Sequence, residues 1–84
     1  MPYGEIRIEL SVENSDLLNV LYTSLLPELR EFRTKRGRVN LLKNNDRLVI
    51  LIEGGDLSIL RALANSVLRL IGATLETLNK LFNE

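Results

Sequence analysis

Between Asp56 and Leu78 the chain carries more apolar surface than one side of a helix can hold. At about 100° per residue, Ser58, Arg61, Asn65, Arg69, Gly72 and Glu76 fall within roughly 80° of one another. Leu57, Ile59, Leu60, Leu63, Val67, Leu68, Leu70, Ile71, Leu75 and Leu78 spread over most of the remainder. An apolar arc that wide predicts burial on two sides, one against the chain's own sheet and the other against another protein. The arc divides into two stripes. Leu57, Leu60, Ala64, Val67, Ile71 and Leu75 are expected to pack on the sheet. Ile59, Leu63, Leu70 and Ala73 are expected to be exposed in the isolated chain and covered in a complex.

The rest of the chain supplies the sheet. Glu5-Ile6-Arg7-Ile8-Glu9-Leu10 alternates with period two, placing Ile6, Ile8 and Leu10 inward. The polar run Glu13-Asn14-Ser15-Asp16 suits the positive end of a helix starting near Val12, with Ser11 or Ser15 as its cap. Leu17, Leu18, Leu21, Leu25 and Leu26 follow at helical spacing, and Pro27 is expected to end or kink the helix near Leu26.

Arg30 to Arg38 forms a charged connection into a second strand, Arg38 to Lys43. Asn44-Asn45-Asp46 tolerates the left-handed backbone of a tight hairpin, which leads into Arg47-Leu48-Val49-Ile50-Leu51-Ile52-Glu53. This third strand is apolar on both faces. If Leu48, Ile50 and Ile52 face the helices, Val49 and Leu51 face the other side with Leu42, and such an aliphatic patch marks an interaction surface. The order β-α-β-β-α predicts an α+β domain over residues 1–84, a three-stranded antiparallel sheet with two helices on one face. A helix from Asp56 to about Phe82 would be roughly 40 Å long, against a diameter of about 30 Å for a compact domain of this size. It either overhangs the sheet or bends at Gly72.

Composition narrows the chemistry. The 84 residues carry 11 basic and 11 acidic side chains, so no global field draws the chain to nucleic acid or membrane. With neither cysteine nor histidine, thiolate chemistry, the commonest metal ligand and the usual near-neutral acid-base group are absent. Neither a signal pattern nor an uninterrupted apolar run of membrane length is found, and the expected location is the cytoplasm. No residue is assigned to catalysis, cofactor or metal. The carboxylates Glu5, Glu9, Asp46, Glu53 and Asp56 read as exposed strand charges and helix caps, with Asp56 as N-cap after the Gly54-Gly55 turn. Tyr3, Tyr22, Phe32 and Phe82 are too scattered for a base-stacking platform.

Asp56, Leu57, Leu60, Arg61, Ala62, Asn65, Ser66, Leu68 and Arg69, in the pattern D-L-x-x-L-R-A-x-x-N-S-x-L-R, together with Ser24-Leu25-Leu26-Pro27-Glu28, resemble the signature of the small dimerising subunit of the KEOPS complex. That complex supports threonylcarbamoyladenosine formation in tRNA. The resemblance implies a non-catalytic adaptor that pairs with itself or a paralogue and docks its helices on the threonylcarbamoyl-transferring subunit, with tRNA handled through the complex. Leu17, Leu21, Leu25, Leu63, Leu70 and Ala73 are the candidates for helix docking, and Leu42, Val49 and Leu51 for self-association. Arg33, Lys35, Arg36 and Arg38 are candidates for tRNA phosphate contacts. Arg61, Asn65 and Arg69 share a helix face, where forked bonds to carboxylate or phosphate compete with pairing to Glu53 or Glu76 and with Asn65 satisfying buried backbone. The alternative is a stand-alone nucleic-acid-binding module, which requires Arg33, Arg36, Arg38, Arg61 and Arg69 to converge on one surface.

Overall fold

A computed structural model describes residues 4–82. The elements run β1 (Gly4–Ser11), α1 (Ser15–Arg30), β2 (Gly37–Asn44), β3 (Arg47–Gly54) and α2 (Leu57–Phe82). The expected α+β order β-α-β-β-α is the observed one. The sheet is antiparallel throughout with spatial order β1-β3-β2. In-register rows run straight across it: Ile6, Ile52 and Val39, then Ile8, Ile50 and Leu41, with Leu10, Leu48 and Lys43 beyond. The two-residue hairpin between β2 and β3 depends on Asn45, whose φ of 55° is the left-handed conformation that an asparagine side chain tolerates.

The core fills the space between the sheet and its helices. Leu48, Ile50 and Ile52 of β3 are fully buried, with Val39 and Leu41 of β2 beside them. From α1, Leu18, Leu21, Leu25 and Leu29 point inward. From α2 come Leu60, Leu63, Val67, Ile71 and Leu78. Ile6, Ile8 and Leu10 of β1 face the same way but stay half-buried, because the helices cover the β1 edge less completely.

Two helix boundaries differ from the sequence expectation. Asn14, and neither Ser11 nor Ser15, caps α1: its Oδ1 accepts from the Asp16 and Leu17 amides at 2.9 and 3.1 Å. Pro27 lies inside α1, which continues to Arg30. Leu29 is the reason: it sits one turn past Leu25 and its burial outweighs the amide bond that Pro27 cannot make.

α2 is one unbroken helix of 26 residues, so the overhang is realised and the bend at Gly72 is not. At about 39 Å it outruns strands about 26 Å long and accounts for most of the 44 Å long axis. By length and composition α2 is also apolar enough to cross a membrane, unlike the sequence expectation. It lies on the sheet, and Arg61 and Arg69 project from its exposed side.

Candidate functional site

Three surfaces remain after the core is assembled: a flank of α2, the open face of the sheet, and a basic cleft at one sheet end.

Glycines fix how α2 is rotated. Leu60 lies over Gly4 of β1 and Gly54 of β3, while Ile59 and Leu63 lie over Gly37 of β2. The buried arc is therefore centred between Leu60 and Leu63. Both expected stripes are split: Leu60, Val67 and Ile71 of the first pack in the core as expected, while Leu57 and Leu75 do not. Leu63, only 6% exposed, belongs to the core, Ile59 and Leu70 are half-buried against it, and Ala73 is exposed. Leu21 and Leu25 of α1 are likewise internal, and Leu17 is half-buried, so Leu21, Leu25 and Leu63 are closed to any partner by the chain's own packing.

Besides Leu81 near its end, the α2 leucines left outside are Leu57, Leu68 and Leu75, at 48, 54 and 37% exposure, with half-buried Ala64 between the first two. Their spacing of seven, four and seven confines them to about 40° of the helix, on the side of Leu60 that faces away from β2. This row lies on the β1 side of the buried arc, and Ile6, Ile8 and Leu10 of β1 are themselves only half-buried. The signal for the row was in the sequence: 57, 64, 68 and 75 follow a heptad seam.

Beside this row, Arg61, Asn65, Ser66 and Arg69 are all exposed. Among the described residues, Arg61, Asn65 and Arg69 make no ion pair or side-chain hydrogen bond. The expected pairing with Glu53 or Glu76, and a buried backbone partner for Asn65, are not observed. Glu53 is taken by Arg38, whose Nε donates to Glu53 Oε1 at 2.6 Å.

The open face of the sheet presents Glu5, Arg7, Glu9 and Ser11 from β1, Arg47, Val49, Leu51 and Glu53 from β3, and Arg38, Asn40, Leu42 and Asn44 from β2. Its apolar centre is Leu42, Val49 and Leu51. Leu42 is 50% exposed and Leu51 half-buried, whereas Val49, between Glu9 and Leu42 in its row, is nearly covered. Ion pairs frame this centre. Glu9 accepts from Arg7 Nε at 2.8 Å and from an Arg47 amino group at 3.1 Å. Those two guanidiniums, Arg7 foremost, hold its carboxyl below the usual glutamate range.

The connection between α1 and β2 is ordered by Thr34. Its hydroxyl oxygen accepts from the Arg36 and Gly37 amides at 3.1 and 3.0 Å, and its own amide donates to the Gly37 carbonyl at 2.8 Å. The Gly55 amide donates to the Arg36 carbonyl at 2.8 Å, tying the loop to the turn before α2. Sequence reading missed Thr34, although Thr-x-x-Gly after a helix is the pattern of such a hydroxyl turn.

The result is a cleft of about 480 Å³ lined by Arg33, Lys35, Arg36 and Arg38 with Glu53 and the Gly54-Gly55 backbone. All four proposed phosphate-contacting residues meet here. Arg36 binds Asp56, and Arg38 binds Glu53. Arg33 and Lys35 are exposed without an ion pair among the described residues. Arg61 and Arg69 do not line the cleft. Asp56 is the expected N-cap: its Oδ1 accepts from the Ile59 amide at 2.9 Å, and that bond, followed by Arg36, lowers its pKa. Among the described residues, no group of three or more histidine, cysteine or acidic side chains could hold a metal. Tyr3 lies outside the described residues, as does the side chain of Phe82.

Residues 5–79 match the sequence model of a family described as "Transcription factor Pcc1". The chain is also 41% identical over 76 residues to the KEOPS complex subunit Pcc1 of Pyrococcus abyssi (strain GE5 / Orsay), a match covering 90% of each chain.

Proposed function

Starting from the fact that this chain belongs to the Pcc1 family, we propose that it is a non-catalytic adaptor subunit of a KEOPS-type, tRNA-modifying complex in the cytoplasm. It self-associates, as a homodimer or with a paralogue, through the open face of its sheet. It docks on the threonylcarbamoyl-transferring subunit through the flank of α2 on the β1 side. The observation that carries this reading is the heptad row Leu57, Ala64, Leu68 and Leu75, exposed or half-buried on the flank of a helix whose Leu60, Leu63, Val67, Ile71 and Leu78 fill the core. A seam of that spacing fits a helix of the partner better than an extended peptide or a flat surface.

The docking set therefore moves to Leu57, Leu68 and Leu75. Leu17, Leu70 and Ala73 contribute only at its margins. Replacing Leu68 and Leu75 by lysine leaves an exposed helix surface, a change that costs stability within about 0.5 kcal/mol per site. Binding to the larger subunit weakens by about 2 kcal/mol or more if these are its anchors. Calorimetric titration alongside circular dichroism is the test. A variant that binds the larger subunit as tightly as the parent chain refutes the docking assignment.

The basic cleft supports a second element of the same reading, contact with tRNA phosphates in the assembled complex. Its charge is local and half-compensated by Glu53 and Asp56. The separation of Arg61 and Arg69 from it weighs against autonomous nucleic-acid recognition.

A further inference from the structure

Arg61 lies inside the apolar row that α2 presents on its β1 side. It follows Leu57 by one helical turn and precedes Ala64 by another, and including it widens the row only to about 60° of the helix. Written as heptads, Leu57 and Ala64 take d, Leu68 and Leu75 take a, and Arg61 takes the a position between the first two. Arg69 is turned about 80° further round, away from the row.

Both arginines are exposed, and among the described residues neither makes an ion pair or a side-chain hydrogen bond. The helix itself offers Arg61 no counter-charge: its neighbours at three and four residues are Leu57, Ser58, Ala64 and Asn65. The acids just before α2 are engaged elsewhere, Glu53 by Arg38 and Asp56 by Arg36. A partner helix seated on Leu57, Ala64 and Leu68 therefore covers an uncompensated guanidinium along with them. Taking that charge out of water opposes association unless the partner brings a carboxylate to it.

Resting on the reading that this flank docks the larger subunit, we propose that the docked helix carries an aspartate or glutamate within its own apolar stripe, paired with Arg61 by forked hydrogen bonds. Ala64, whose side chain ends at Cβ, leaves the space beside Arg61 through which the carboxylate enters. A single charged pair in an otherwise apolar seam fixes register, as a lone polar a residue does in a coiled coil. Arg61 is thus the residue that selects which helix is accepted and at what offset along α2. Nucleic-acid phosphates fit this position less well. Leucines lie on both sides of Arg61 along the row and Glu76 is exposed on the same side of the helix, so the flank offers one cation set in grease and no basic track.

Arg61→Leu separates a charged seam from a plain apolar one. Leucine suits an a position, so with no facing carboxylate it tightens binding to the larger subunit. With one, it strands that carboxylate in the interface and weakens binding by about thirtyfold or more. Arg69→Leu, at the wet rim, changes binding by less than about fivefold. Calorimetric titration of the whole chain against the larger subunit reads both, with circular dichroism showing that each variant is folded. Arg61→Glu also abolishes tight binding, and replacing one acidic residue of the partner helix by arginine restores it. Unchanged or tighter binding by Arg61→Leu, equal losses at Arg61 and Arg69, or the absence of any partner residue that rescues Arg61→Glu overturns the proposal. So does a loss of tRNA affinity in the assembled complex while binding to the larger subunit is unchanged, which would give Arg61 to phosphate. Failure of the docking flank itself is read on different residues: Leu68→Lys with Leu75→Lys would then bind as tightly as the parent chain.

Discussion

Arg36 and Asp56, separated by 20 residues of sequence, are bound to each other while Asp56 also caps α2 through the Ile59 amide. One carboxylate therefore anchors both the basic loop and the helix that carries the docking row. Replacing it by alanine removes both attachments. Asp56→Ala is expected to lower the melting temperature, and Asp56→Asn, which keeps an acceptor for the cap, to lower it less. Thermal denaturation of the two variants checks this order.

The same carboxylate and Glu9 give stability a defined acid limb. Both have native pKa values lowered by their partners, so the unfolded chain binds protons more readily than the folded one. Their contribution is complete above the ordinary carboxylate range, about 3.9 to 4.3. It is lost as pH falls through that range into the lowered native values. Urea unfolding between pH 3 and 6, taken as a range of about two units around those values, is expected to show a midpoint that falls at the acid end. The dependence flattens in Asp56→Asn with Glu9→Gln.

Leucines on the two sides of α2 are expected to behave differently. Leu63→Ala opens a cavity in the core and costs about 2–5 kcal/mol. Leu68→Ala, at an exposed site, costs within about 0.5 kcal/mol. Denaturant titrations of both variants make the comparison. Similar losses would mean that α2 is rotated differently on the sheet.

Two glycines supply opposite signs. Nothing lies within 4 Å of a methyl group added at Gly72, so Gly72→Ala in an exposed helix is expected to stabilise by about 0.5–1 kcal/mol. At Gly37 the methyl meets the Leu63 side chain at 2.7 Å and the Glu53 carbonyl oxygen at 2.9 Å. The carbonyl cannot yield as a side chain can, and a cost of about 1–3 kcal/mol is expected. Chemical denaturation reads both.

For RNA contact, the informative residues are those without an internal partner. Arg33→Gln and Lys35→Gln in the assembled complex are expected to weaken tRNA binding and to reduce the slope of affinity against salt by about one for each phosphate that is no longer neutralised. Binding measured across a salt series distinguishes this from a folding defect, which would leave the slope unchanged.

Periodicity carried the architecture. The alternation from Glu5 to Leu10, the Asn45 hairpin and the doubly apolar third strand each specify an element through a local rule, and each is present. What periodicity left open was rotation. Leu57, Leu60, Leu63 and Leu68 are chemically equivalent, and only the bare patches at Gly4, Gly37 and Gly54 determine which of them approach the sheet. Leu29 shows the same limit at the end of α1, where burial against a distant part of the chain overrode the local effect of Pro27. The basic cleft was legible as a charge run in the sequence. Its closure by Thr34 and the Gly54-Gly55 turn depended on a hydrogen bond across the fold.

Leu48 to Ile52 is five consecutive aliphatic residues with high strand propensity, the kind of segment that seeds cross-β aggregation when its edges are free. Placement between β1 and β2 occupies both edges, so the most adhesive segment of the chain is shielded by two less apolar neighbours. Of those neighbours, β1 is the less securely held, with half-buried Ile6, Ile8 and Leu10. Fraying of β1 would uncover one edge of β3. A partner seated on the β1 side of α2 would therefore also act as a guard against fibril formation, and the chain expressed without it should aggregate from this edge first.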